Sequence, residues 1–170
     1  MSGADVGARQ TARRLAKAMA VDAGDAGRLA EAVIVVVAAR VALRLLRVET
    51  LARICRRVAH ASVPIGADRD GAVAVERRNE ADRLAWAADA ASNAVGLTCL
   101  PRSLGLCWLL ARRGLSADLC LGAPRGRPRL PWHAWVELDG LPLGREATAP
   151  EDAGETPFEV VCRLPLEPFA

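Results

Sequence analysis

The sequence lacks the motifs of a metal-bound or disulfide-bonded scaffold. It has two histidines, His60 and His133, and five cysteines: Cys55, Cys99, Cys107, Cys120 and Cys162. No two cysteines form a C-x-x-C pair, and with His60 they show no metal-ligand spacing, which argues against a structural zinc site. The odd count argues against a disulfide framework. The N-terminus, MSGADVGARQTARRLAKAMA, carries no secretory signal, so reduced thiols and a cytoplasmic location are expected. Long apolar runs are also lacking. In the richest segment, Leu29–Val48, only Ala32–Ala39 is uninterrupted, and Glu31, Arg40 and Arg44 break the rest. A spanning helix needs about 20 predominantly apolar residues, so a buried helix is expected here instead. Helix 29–48 remains available for peripheral contact with a membrane surface or a partner. Charge of one sign is weak too. A net charge of +3, with arginines scattered over expected helix surfaces, argues against nucleic acid and leaves room for an acidic peptide partner.

What is present is enough for a folded domain. The 170 residues are 52% hydrophobic and 25% charged, which suits one domain with a helical extension. Residues 1–26 are expected to be loosely ordered. From about Gly27 to Ala59 the pattern is helical, with a break near Val48–Thr50 where Thr50 is a candidate N-cap. Ser62–Gly71 reads as a connecting loop. An amphipathic helix follows over Val75–Val95, with Leu84, Ala88, Ala91 and Val95 on one stripe and Gly96 as its stop. In LTCLPRSLGLCWLLARRGL, Pro101 suits a first turn, Arg112 and Arg113 a last turn, and Gly114 the end of a helix. SADLCLGA and WHAWVEL read as strands, separated by an Arg/Pro/Gly loop. Asp139–Gly140 is a strong hairpin signal. A two-residue turn sets Leu138 against Leu141, Val136 against Leu143, Trp135 against Gly144 and His133 against Glu146. FEVVCRLPL reads as a last strand. Helices followed by an antiparallel sheet make an α+β fold.

Cys99 opens the helix that contains Pro101, and His133 lies 34 residues on in a strand. Unpaired N–H groups and the dipole at a helix start stabilise negative charge, so both favour a thiolate there. Arg102 lies one turn away, positioned to hold a loop or a carboxylate. A neighbouring imidazole would complete the activation of the thiol. Glu146, opposite His133 in the hairpin register, is positioned to orient the imidazole, as the third member of a triad does. Asp139 is the other acid in reach of this hairpin, although turns use Asp for backbone reasons. Trp132 and Trp135 either line a peptide groove or pack. Cys107, Cys120 and Cys162 sit in apolar patterns and read as core. Cys55 reads as structural and His60 as a helix-end residue.

The run CLPRSLGLCWLLARRGLSADLCLGA, followed by HAWVELDGLPLG, resembles the leader peptidase of lasso-peptide biosynthesis. That enzyme is the transglutaminase-like C-terminal half of the B protein, often a separate chain. The strongest part covers Cys99–Gly144, and the helical part before it is also similar. The resemblance implies a papain-like core over 97–170, preceded by a helical part over 27–96. It implies a cysteine protease that removes the leader from a ribosomally made precursor peptide, with Cys99 as nucleophile, His133 as base and no cofactor. It further implies two partners, a small leader-binding protein and an ATP-dependent macrolactam cyclase. The family usually has an aspartate in the strand after the turn. This chain has Gly144-Arg145-Glu146 there, which leaves Glu146 or Asp139 for the role. Two other readings use the same residues: an amidase or acyl-transfer enzyme, in which an amine captures the thioester, and a non-catalytic peptide-binding scaffold.

Overall fold

The computed structural model describes residues 23–62, 71–124, 132–144 and 158–164. Four helices come first: α1 (Ala23–Leu45), α2 (Val48–Ser62), α3 (Gly71–Ala94) and α4 (Cys99–Ala111). The strands follow: β1 (Asp118–Pro124), β2 (His133–Leu138), β3 (Leu141–Pro142) and β4 (Phe158–Leu164). They form one antiparallel sheet in the order β3-β2-β1-β4. This is the α+β order expected from the sequence.

The helix boundaries follow local chemistry with small displacements. α1 begins at Ala23, four residues before the expected start, and Asp25 in its first turn complements the dipole. The break after α1 falls at Leu46–Arg47. Thr50 is therefore not an N-cap but lies inside α2, where its N–H already donates to Arg47 O at 3.0 Å. Gly96 and Gly114 end α3 and α4 with φ of 65° and 68°. After α4 the N–H of Leu115 donates to Leu110 O and that of Gly114 to Ala111 O, both at 3.0 Å, a Schellman closure. The loop expected after Ser62 lies largely outside the described residues. So do the Arg/Pro/Gly loop, the N-terminal stretch through residue 22, and the side chain of His60.

α4 is the centre of the molecule. Its sequence, CLPRSLGLCWLLA, is apolar on nearly every side, which suits only a helix surrounded by protein. α1, α2 and α3 pack against it from one side and β2 from the other. At the crossing with α1, a Cβ on Gly105 would lie 2.8 Å from Val36 Cγ1 and 3.2 Å from Val36 Cα, so glycine sets the close approach of the two backbones. One apolar core runs without interruption from Ala32 and Val36 through Leu84, Leu104, Leu109 and Leu119 to Val136 and Leu143. It passes straight through the expected division at residues 96/97, so the helices and the sheet share one core.

β2 alternates between two faces. Ala134, Val136 and Leu138 face the helices, and all are buried. Asp139 and Gly140 both take positive φ, 52° and 75°, as a type I′ turn requires. The expected hairpin register holds at Leu138–Leu141 and Glu137–Pro142, and the N–H of Leu143 donates to Val136 O at 2.9 Å.

Candidate active site

Cys99 is the first residue of α4, preceded by Thr98 in an extended conformation. The first N–H groups of a helix have no partner within it, and Pro101 removes one of them. His133 is the first residue of β2. The structure brings the two together: the imidazole of His133 hydrogen-bonds the Cys99 thiol, and this bond is the main cause of a thiol pKa below the ordinary value. Burial pushes the other way. The N–H groups of Ala134 and Leu100, and the positive charge available to His133, add to the lowering. Both side chains are half-buried, which shields them without sealing them off.

α4 is fastened to the start of β2 by backbone chemistry. Ser103 Oγ donates to Ala134 O at 2.9 Å in a buried site. Cys99 and Ser103 are four residues apart and so share a face of the helix. They meet the N–H and the C=O of the same residue, Ala134. Val136 directs its carbonyl toward the β3 side, as the Leu143 bond shows. Ala134, two residues back, points the same way. β3 turns off at Gly144, with φ 82°, and α4 takes the partners that a longer β3 would have used.

The β2–β3 ladder is described out to Val136 and Leu143, and beyond it Ala134 is bonded to α4. Glu146 itself lies outside the described residues. Asp139 is set apart from His133. It is exposed in the turn at the other end of β2, six residues or about 20 Å from His133.

The second face of β2 is also covered, and here the structure holds residues that sequence reasoning missed. The His133 ring stacks on Phe158 of β4, centroids 4.8 Å apart with a 24° interplanar angle, and lies near-parallel to Trp135 at 6.1 Å. Trp135 is buried, and its indole N–H donates to Glu137 Oε1 at 2.8 Å. Its ring lies over Gly122, where a Cβ would sit 2.7 Å from Trp135 Cη2 and 2.7 Å from Glu159 O. Trp135 is thus packing rather than a lining of an open groove. Arg163 ties this face together through Asp118 at 2.9 Å and Glu137 at 2.7 Å.

Arg102 is directed to a carboxylate of its own chain. It pairs with Asp89 of α3 at 3.2 Å, and both side chains are largely buried. Asp89 also borders Gly144, where a Cβ would lie 3.2 Å from Asp89 Oδ2. Asp89 and Phe158 carried no local signal, since a lone acid in an alanine-rich helix and the first residue of a strand are ordinary. Trp132, directly before His133, is 62% exposed. Cys55, Cys107 and Cys120 are buried. Burial pushes the Cys55 thiol up to about 11, that of Cys120 up to about 12 with help from Glu137, and Cys107 higher than an ordinary thiol. Among the described residues no group of three His, Cys, Asp or Glu side chains is arranged to hold a metal ion, and no helix is long and apolar enough to cross a membrane.

A reactive thiol at a helix start, hydrogen-bonded to an imidazole on an antiparallel strand, is the arrangement of a cysteine hydrolase or acyltransferase. Residues 33–160, most of the chain, match the transglutaminase-like superfamily, and the chain belongs to it. That superfamily includes cysteine proteases and acyltransferases. The match begins inside α1, so most of the helical region lies within the superfamily domain. Curated proteins and solved structures give no match.

Proposed function

We propose that this protein is a cysteine peptidase that cleaves the leader from a lasso-peptide precursor, in the cytoplasm and together with a small leader-binding protein. An ATP-dependent macrolactam cyclase acts on the released core. The observation that carries the reading is the hydrogen bond between His133 and Cys99 at the start of α4. It joins the two stretches that resemble the C-L-x-R-S and H-A-W motifs of the leader peptidases.

In this mechanism the Cys99 thiolate attacks the carbonyl carbon at the leader–core junction. The carbonyl oxygen becomes an oxyanion, and backbone N–H groups at the start of α4, that of Cys99 included, stabilise it. Collapse breaks the C–N bond, and the His133 imidazolium gives its proton to the departing amine. Water then loses a proton to His133 and attacks the thioester, which releases the leader carboxylate and restores the thiolate. Phe158 and Trp135 hold the plane of the imidazole. Glu146, two residues beyond Gly144, is our candidate for the acid that supports the imidazolium. Trp132, exposed beside the base, is the aromatic side chain open to the substrate.

The test uses purified protein, the precursor peptide and the leader-binding partner, with products weighed by mass spectrometry. Cys99→Ala should lower turnover by at least about 1,000-fold while the thermal transition is retained, since removal of a nucleophile leaves only binding and oxyanion stabilisation. Normal turnover by that variant would sink the proposal. A product mass that shows capture by an amine would shift the reading to acyl transfer.

A further inference from the structure

We propose that the groove between α1, α2 and α4 docks an acidic amphipathic helix of a partner protein. α1 is apolar on two opposite sides. One side, with Ala32 and Val36, is buried against α3 and α4. The other exposes Ile34, Val37, Val41 and Leu45, a stripe at helical spacing in which Ile34 is 69% and Leu45 78% exposed. Large exposed apolar patches mark interaction sites. Ile34 of this stripe, with Val35, Ala38, Ala39 and Ala42 of α1, forms one wall of a groove of about 390 Å³. Leu51 and Ile54 of α2 form the opposite wall, and Leu104 and Trp108 of α4 lie at its base. Its apolar walls face one another across a concavity, which suits the ridge of a helix better than the flat plane of a bilayer.

Charge selects the occupant. Residues 34–57 carry six arginines and one acid, Glu49. Arg44 lies one turn on from Val41, Arg57 one turn on from Ile54, and both are exposed. Arg112 at the groove mouth is held by Glu31 at 2.8 Å. This cationic rim favours a partner with acidic residues beside its apolar face. A second copy would bring the same positive rim and be repelled. The chain's own N-terminal stretch is disfavoured for the same reason, since Arg9, Arg13, Arg14 and Lys17 outnumber Asp5 and Asp22. The acidic stretch from Glu146 to Glu155 has no large apolar residue to fill the groove.

The probe is a fluorescein-labelled helical peptide of about 18 residues, with leucines at helical-stripe spacing and glutamates elsewhere. Its twin carries lysines in place of the glutamates. Anisotropy with the full chain should show micromolar binding of the acidic peptide and binding of the twin weaker by about tenfold or more. Ile34→Glu and Ala38→Glu alter exposed positions that line the groove, so they should keep the thermal transition and weaken the acidic peptide by about tenfold or more. Arg44→Glu with Arg57→Glu should weaken it and flatten its salt dependence. Absence of acidic-peptide binding, or equal binding of the lysine twin, would overturn the proposal. So would an Ile34-dependent dimer in light scattering. Ile34-dependent capture by phosphatidylglycerol vesicles without peptide binding would assign the face to a membrane and overturn it as well. Peptide binding is read without turnover, so the result is independent of the role of Cys99.

Discussion

The hydrogen bond from His133 to Cys99 sets the pH range over which this thiol reacts. The bond favours the charged form, so the thiolate persists as pH falls below the ordinary thiol value of about 8.5 and is lost only below the lowered native value. Iodoacetamide labelling mapped by mass spectrometry should therefore show Cys99 reacting fast well below pH 8.5. His133→Ala should move its profile upward. Cys55, Cys107 and Cys120 should stay silent in the folded protein at the same pH, because burial pushes their thiols up. A Cys99 profile unchanged by His133→Ala would contradict the coupling. At this scale the sequence was legible where the chemistry is local. A cysteine beside a helix-start proline and a histidine in a strand are readable as a thiol and its base. The Arg102–Asp89 pair and the Phe158 stack were not, because each joins residues from separate elements through tertiary packing alone.

Between elements, α4 competes with β3 for the backbone of β2. The turn at Asp139–Gly140 and the pairs out to Val136 and Leu143 follow from turn chemistry and alternation, and were readable. Beyond them local pattern fails. Ala134 has its N–H directed to the Cys99 sulfur and its C=O to Ser103, so a helix from elsewhere in the chain replaces the strand. Ser103→Ala removes the fastening at the carbonyl. It should destabilise by roughly 1–3 kcal/mol, as loss of a partner from a buried polar group does, and lower turnover by more than its effect on substrate binding. Denaturation and a kcat-against-KM comparison check both parts, and a variant with native kcat would show that the bond only stabilises. On the other face of the sheet, Gly122→Ala would drive a methyl into Trp135 and into the backbone of Glu159. A chemical-denaturation midpoint should report a loss of about 1–3 kcal/mol, the usual cost of overpacking. An unchanged midpoint would contradict the close approach.

For the whole molecule, the sequence pattern suggests a helical part and a catalytic part, since helical periodicity ends near residue 96 and strands follow. Periodicity reports secondary structure and not which faces share a core. In the fold, α4 carries the reactive thiol, yet most of its apolar surface is covered by helices that precede it in the chain. Val36 of α1 is fully buried against Gly105, and Leu84 of α3 joins the same cluster as Leu109 and Val136. A chain of residues 97–170 alone would expose Leu104 and Leu109 to water, and burial of one such side chain is worth roughly 1.5–3 kcal/mol. A whole domain is stable by only about 5–15 kcal/mol, so a loss of this kind is comparable with the entire margin. The expected outcome is that residues 97–170 show no cooperative thermal transition and no fast-reacting Cys99, while the full chain shows both. Circular dichroism on heating and the labelling profile would report it. A cooperative melt and native Cys99 reactivity in residues 97–170 would mean that the helices are an appendage. Their absence would make α1 and α3 part of what aims the thiol at its base.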